Sequence, residues 1–122
     1  MSHVTRLAVT GALVMLLGAT AAQAQDISGR WQFTVELDVG GGRPTFVFRQ
    51  NGDTLSGTFE GMFGTADVSG TIQGDEVEFW FDLQGTRAVY TGTVGDNTMS
   101  GTCDYSGVGS GVWEAEKADE VA

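Results

Sequence analysis

The sequence predicts an all-β chain folded as an eight-stranded antiparallel up-and-down β-barrel. Three observations predict it. First, one short phrase recurs: an apolar residue, Ser or Thr, Gly-Thr, and a second apolar residue. It stands at Leu55-Ser56-Gly57-Thr58-Phe59, Val68-Ser69-Gly70-Thr71-Ile72, Tyr90-Thr91-Gly92-Thr93-Val94 and Met99-Ser100-Gly101-Thr102-Cys103, with a looser copy at Ser110-Gly111-Val112-Trp113. Second, each copy alternates apolar and polar residues, the period of a strand with one buried face. Third, short Gly-rich turns separate the segments at regular spacing, as in sandwiches and barrels. No stretch of the mature chain carries a helical period.

The expected strands lie at about residues 30–38, 44–50, 54–60, 66–73, 76–83, 86–94, 98–104 and 110–117. The first presents Trp31, Phe33, Val35 and Leu37 to one side. Pro44 begins the second, where a missing N–H is tolerated, and Phe46 and Phe48 follow. Later strands add Leu55 and Phe59, Val68 and Ile72, then Val77, Phe79, Phe81 and Leu83. The last three supply Tyr90 and Val94, Met99 and Cys103, and Trp113. The opposite face reads Thr, Ser, Glu, Gln and Arg, which opposes an outer-membrane barrel with its apolar lipid face. Short turns join antiparallel neighbours, and closing the meander removes both edges.

Register follows from the turns. Pairing Phe48 with Leu55 sets Gly57 opposite Phe46. Pairing Ile72 with Val77 sets Gly70 opposite Phe79, and the same reasoning sets Gly101 opposite Trp113. A bare glycine backbone then lies under a large ring, which pins the pairing. So many inward rings lean toward a filled lumen.

Residues 1–24 read as a secretory signal peptide: Arg6, a mostly apolar run from Leu7 to Leu17, and Ala22-Gln23-Ala24 before the cut. Residues 25–122 then form a single β-barrel domain, periplasmic or extracellular. The apolar run is too short for a comfortable membrane span. Losing Arg6 leaves the mature chain one unit more negative than the −10 of the whole sequence. Such a surface repels nucleic acid and anionic lipid.

Catalysis is not expected. The one His of the sequence, His3, leaves with the signal, removing the usual neutral-pH base and the commonest metal ligand. No phosphate loop, nucleophile elbow or zinc spacing occurs. The acids fall on outward or turn positions, so nothing marks a carboxylate pair for glycoside hydrolysis. Acidic turns such as Asn51-Gly52-Asp53 are explained by turn chemistry, and no cofactor or metal is expected. Cys103 has no partner for an internal disulfide and reads as a small buried hydrophobe.

A meander alternates its turns between two ends. One end collects Asn51-Gly52-Asp53, Gly74-Asp75 and Gly95-Asp96-Asn97. The other collects Val39 to Arg43, Gly61-Met62-Phe63-Gly64, Gln84-Gly85 and Tyr105 to Gly109. Met62, Phe63 and Tyr105 at this second end are the candidate binding residues for a small apolar ligand or a protein partner. Their alternative role is a lid closing the core. Trp80, outward between Phe79 and Phe81 and paired with Val89 beside Asp82 and Arg87, is a further candidate contact.

Gly29-Arg30-Trp31 opens the first strand with Gly-x-Trp, ahead of an eight-stranded meander. This resembles the calycin group: lipocalins, avidins and related small bacterial barrels. Leu55-Ser56-Gly57-Thr58-Phe59 is also similar to an early avidin strand, although Phe33 stands where avidins place an Asn. The resemblance implies that Trp31 plugs a closed end and that the Met62/Phe63/Tyr105 end is open. Bacterial periplasmic inhibitors of metalloproteases are similar in length and export. Their blocking element is an N-terminal stretch, so the alternative function is protease-inhibitor-like, acting through a protein interface.

Overall fold

Alternation along the chain becomes a closed wall in the computed structural model, which describes residues 25–118. The segment read as a signal peptide lies outside the described residues. The strands are β1 (Gly29–Leu37), β2 (Gly40–Gly42), β3 (Thr45–Asn51), β4 (Thr54–Gly61), β5 (Gly64–Gln73), β6 (Glu76–Leu83), β7 (Thr86–Val94), β8 (Thr98–Tyr105) and β9 (Gly109–Lys117). Each pairs antiparallel with its neighbour, and β9 returns to β1 through Trp31↔Lys117, Phe33↔Ala115 and Val35↔Trp113. The barrel is closed.

Nine strands are assigned where the sequence predicts eight, and the difference is local. β2 and β3 both pair with β1 along one continuous line: Leu37↔Gly40 and Val35↔Gly42, then Gln32↔Thr45 and Trp31↔Phe46. Between them Phe33 N–H still donates to Pro44 O at 3.0 Å. Pro44 has no N–H to return that bond, so the ladder is interrupted. The wall is therefore eight-stranded, with one strand broken at Arg43–Pro44.

Registers at the β5–β6 and β8–β9 hairpins match the expectation: Gly70↔Phe79, Ile72↔Val77 and Gly101↔Trp113. The β3–β4 hairpin differs. Asn51 pairs with Thr54, so the turn is Gly52-Asp53 alone, and Phe48 faces Gly57 while Phe46 faces Phe59. Asn51 belongs to the ladder, not the loop. The slip is two residues, which leaves every side chain on its expected face.

The core contains the expected inward residues, with Leu37 and Leu83 only partly buried. Ile27, Ala88 and Ala115 join it. Phe33 stacks on Trp113 with centroids 5.0 Å apart, Phe79 stacks on Tyr90 at 5.2 Å, and Phe48 meets Phe79 edge-on at 5.0 Å. These rings fill the middle of the barrel. At the end carrying the acidic turns, Trp31 is buried and its indole N–H donates to Ile27 O at 2.9 Å. Ile27 N–H in turn donates to Gln50 Oε1 at 2.8 Å. That end is plugged by a tryptophan and the segment just before β1.

Candidate functional site

The opposite end is a cup. Its floor and walls come from strand ends whose inward residues lack a partner above them: Val35 and Leu37 of β1, Phe59 of β4, Phe81 and Leu83 of β6, and Tyr105 of β8. The cavity measures about 960 Å³. That is at the upper end of the range of about 300–1,000 Å³ common for small-molecule sites. Phe59 and Phe81 stack with centroids 4.2 Å apart and separate the cup from the packed aromatic middle. The lumen is thus filled over part of its length and open at the mouth.

The rim is built by tight turns. Gly61 pairs with Gly64, so Met62 and Phe63 are the two central residues of their turn. Side chains at a hairpin tip project past the last ladder pair. Met62 is 80% and Phe63 71% exposed, so they stand on the rim and do not fold over the core as a lid. Val39 and Val108, on neighbouring turns, are also exposed. Gln84 and Gly85 both have positive φ, 52° and 82°, which fits the tight hairpin matching the sheet's twist. The Gln84 amide donates to Phe63 O at 3.2 Å and ties two rim turns together. On the far side Asp38 N–H donates to Ser110 O at 3.0 Å and the Asp38 carboxylate accepts from Ser110 N–H at 3.2 Å.

Few polar groups enter this space. Arg43, exposed at the rim, is the cationic side chain among the residues lining the cup. Thr86, across the ladder from Leu83, belongs to the lining, as do Glu60 and Gln84, while the Thr45 hydroxyl is turned to Gln32 Oε1 at 3.4 Å. At the floor the Tyr105 and Tyr90 hydroxyls lie 2.6 Å apart. Burial, and then the neighbouring Tyr105, push the Tyr90 phenol well above its ordinary value. Burial also raises Tyr105, and its hydrogen bond with Tyr90 works in the opposite sense. Both phenols are therefore neutral at physiological pH. Cys103, across the ladder from Tyr90, is raised to about 11, mainly by burial. It is an inert thiol at neutral pH.

Of the four candidate residues, Met62, Phe63 and Tyr105 meet at this cup. Trp80 does not. It lies on the outer wall between Ser69 and Val89, partly buried, above the Asp82–Arg87 pair, whose two hydrogen bonds measure 2.8 and 3.0 Å. The Arg87 guanidinium holds the Asp82 carboxyl below the usual range. Leu37, Phe59, Phe81, Leu83 and Arg43 were not marked as site residues by sequence. The first four read simply as core, and only the height of each along the barrel separates floor and wall from packed interior. Among the described residues no group of three or more His, Cys, Asp or Glu gathers to hold a metal ion.

No protein-family model matches the chain, and neither does any curated protein. Among solved structures it is similar to a mutant of the fluorescent protein UnaG, at a TM-score of 0.50 and 14% sequence identity, covering 77% of this chain and 97% of that one. The likeness is one of fold. Together with the closed eight-stranded meander it makes the fold a calycin-like β-barrel.

Proposed function

We propose that this protein is an exported, non-catalytic barrel that binds a small apolar ligand in the cup at the Met62/Phe63/Tyr105 end. One observation carries the reading: a cavity of about 960 Å³, walled by Leu37, Phe59, Phe81 and Leu83, at the mouth of a barrel whose middle is packed with aromatic rings. A concave, mostly apolar space of this size at the mouth of a barrel is the kind of place where small ligands bind. Export is read from residues 1–24, and location in the periplasm or outside the cell follows from it.

Gentle purification followed by native mass spectrometry tests the reading. We expect either a retained small molecule or saturable uptake of one neutral apolar dye per chain. A protein that carries nothing and takes up no such dye ends the proposal.

A protein partner seated on the same rim is the second reading, favoured by the exposure of Met62 and Phe63. Paired substitution of these two by Ser removes a partner, while a ligand held deeper in the cup by Leu37, Phe59, Phe81 and Leu83 keeps most of its affinity. The inhibitor-like form of this reading has less support. An N-terminal blocking stretch must reach out of the barrel, and Ile27 is instead 1% exposed, pinned beside Trp31.

A further inference from the structure

We infer that the cup receives its ligand with a neutral hydrogen-bond acceptor leading, such as the carbonyl of a ketone, ester or amide, and that the Tyr105 hydroxyl is the donor that receives it. The inference rests on the ligand-binding reading above and adds the chemistry of the inserted end.

Each tyrosine hydroxyl carries one proton. The Tyr90 and Tyr105 oxygens are 2.6 Å apart, so one hydroxyl donates and the other accepts. Tyr90 is fully buried among Phe33, Phe46, Phe79, Phe81 and Trp113. Among the described residues its hydroxyl bonds only to Tyr105. Were Tyr105 the donor, the Tyr90 proton would face aromatic rings with no acceptor, at the full desolvation cost of a buried donor. The opposite order leaves nothing unmade: Tyr90 donates to Tyr105. Tyr105 then keeps its own proton for a further acceptor. Tyr105 is also the member of the pair that lines the cup, and Tyr90 is not. A donor already accepting a hydrogen bond is polarised and donates more strongly.

The kind of acceptor follows from the floor. Val35, Phe59 and Phe81 surround this end of the cup, and the cationic lining residue Arg43 sits at the rim. A carboxylate taken to the floor would exchange its hydration for one neutral donor, which does not compensate a buried charge. A carbonyl oxygen needs one donor. An anionic amphiphile would lodge in the other sense, tail inward and head beside Arg43.

Three probes of equal chain length test this by displacement of a neutral dye: a medium-chain methyl ketone, the alkane, and the fatty carboxylate. In Tyr105→Phe we expect the ketone to weaken about three- to tenfold and the alkane by less than about twofold, the range of one neutral hydrogen bond. Tyr105→Phe strands the Tyr90 proton, so the double variant Tyr90→Phe/Tyr105→Phe, which removes both partners, must give the same selectivity change. Tyr90→Phe alone must keep the ketone preference. Equal loss of ketone and alkane overturns the hydroxyl's role and leaves the cup reading standing. A carboxylate that depends on Tyr105 more than the ketone does overturns the neutral acceptor. Failure of every probe to bind the unaltered protein overturns the cup reading itself, and this inference with it.

Discussion

Gly70 stands directly across the ladder from Phe79, and a Cβ built on Gly70 would lie 2.6 Å from the Phe79 Cβ and closer still to Glu78 O. The recurring phrase has its explanation here. Its glycines occur where the wall coils so tightly that the facing backbone and ring occupy the side-chain position. Gly101, opposite Trp113, would drive a Cβ into Thr91 O, and Gly92 would meet Trp113 Cζ2 at 2.6 Å. The reason is space.

Gly70→Ala is therefore expected to destabilise by about 1–3 kcal/mol, the cost of forcing extra atoms into a packed site. Gly42→Ala is the control, since a Cβ there meets nothing within 4 Å. Urea denaturation of the two variants checks the contrast. Equal midpoints would remove crowding as the reason for the repeat.

How much of this was legible in the sequence depends on period. Alternation identifies which face of each strand is buried, and Trp31 to Trp113 sit on the expected side. Alternation is blind to a slip of two, because the pattern repeats after two residues. That is why Phe48 falls opposite Gly57 and not Leu55. Ala88 and Ala115 carry too little apolar surface to register as core, and Ile27 precedes the alternating run altogether. The cup was legible as an end, from Met62, Phe63 and Tyr105 in the turns. Its depth was not. Leu37 and Leu83 look like core in a linear pattern and become wall only because nothing packs above them. The Tyr90–Tyr105 bond joins diagonal positions, since Tyr90 pairs with Cys103 and Tyr105 with Ala88.

Leu83→Trp should separate binding from stability. Leu83 is partly buried and faces the cavity, so the larger indole extends into open space and not into packed rings. The melting temperature should move by less than about 4 °C, under the shift that one kcal/mol produces in a domain of this size. Affinity for a neutral apolar dye should fall about tenfold or more. Unchanged dye affinity would relocate binding away from the cup.

Alkaline pH should destabilise the fold. Tyr90, Tyr105 and Cys103 all hold their protons more tightly when folded, chiefly through burial, with the thiol raised to about 11. Unfolded, a thiol and a phenol titrate near about 8.5 and 10. Below about pH 8.5 both states are protonated and the stability is fully present. As pH rises past those values the unfolded chain releases protons that the native chain retains, so stability falls. Urea midpoints measured from about pH 7 to 11 should decline from about pH 9 onward. A variant carrying Tyr90→Phe, Tyr105→Phe and Cys103→Ala should flatten that decline, and a wild-type profile with no slope would contradict the assignment.

The closed end offers the last test, because it opposes two uses of the same residues. Ile27 fills the space beneath Trp31, and its carbonyl accepts the indole N–H at 2.9 Å. Ile27→Ala should cost about 2–4 kcal/mol, within the range for emptying a buried Ile site. Trimming Gln25 and Asp26 removes exposed residues and should leave the core intact. Trimming through Ser28 strands the Trp31 indole donor and should cost more than Ile27→Ala alone. A blocking stretch that docks into a protease would behave in the opposite way: the same truncation would spare stability and abolish partner binding. Comparing the melting temperature of the two truncations with wild type decides whether Ile27 and Ser28 serve the barrel's closed end or a partner's cleft.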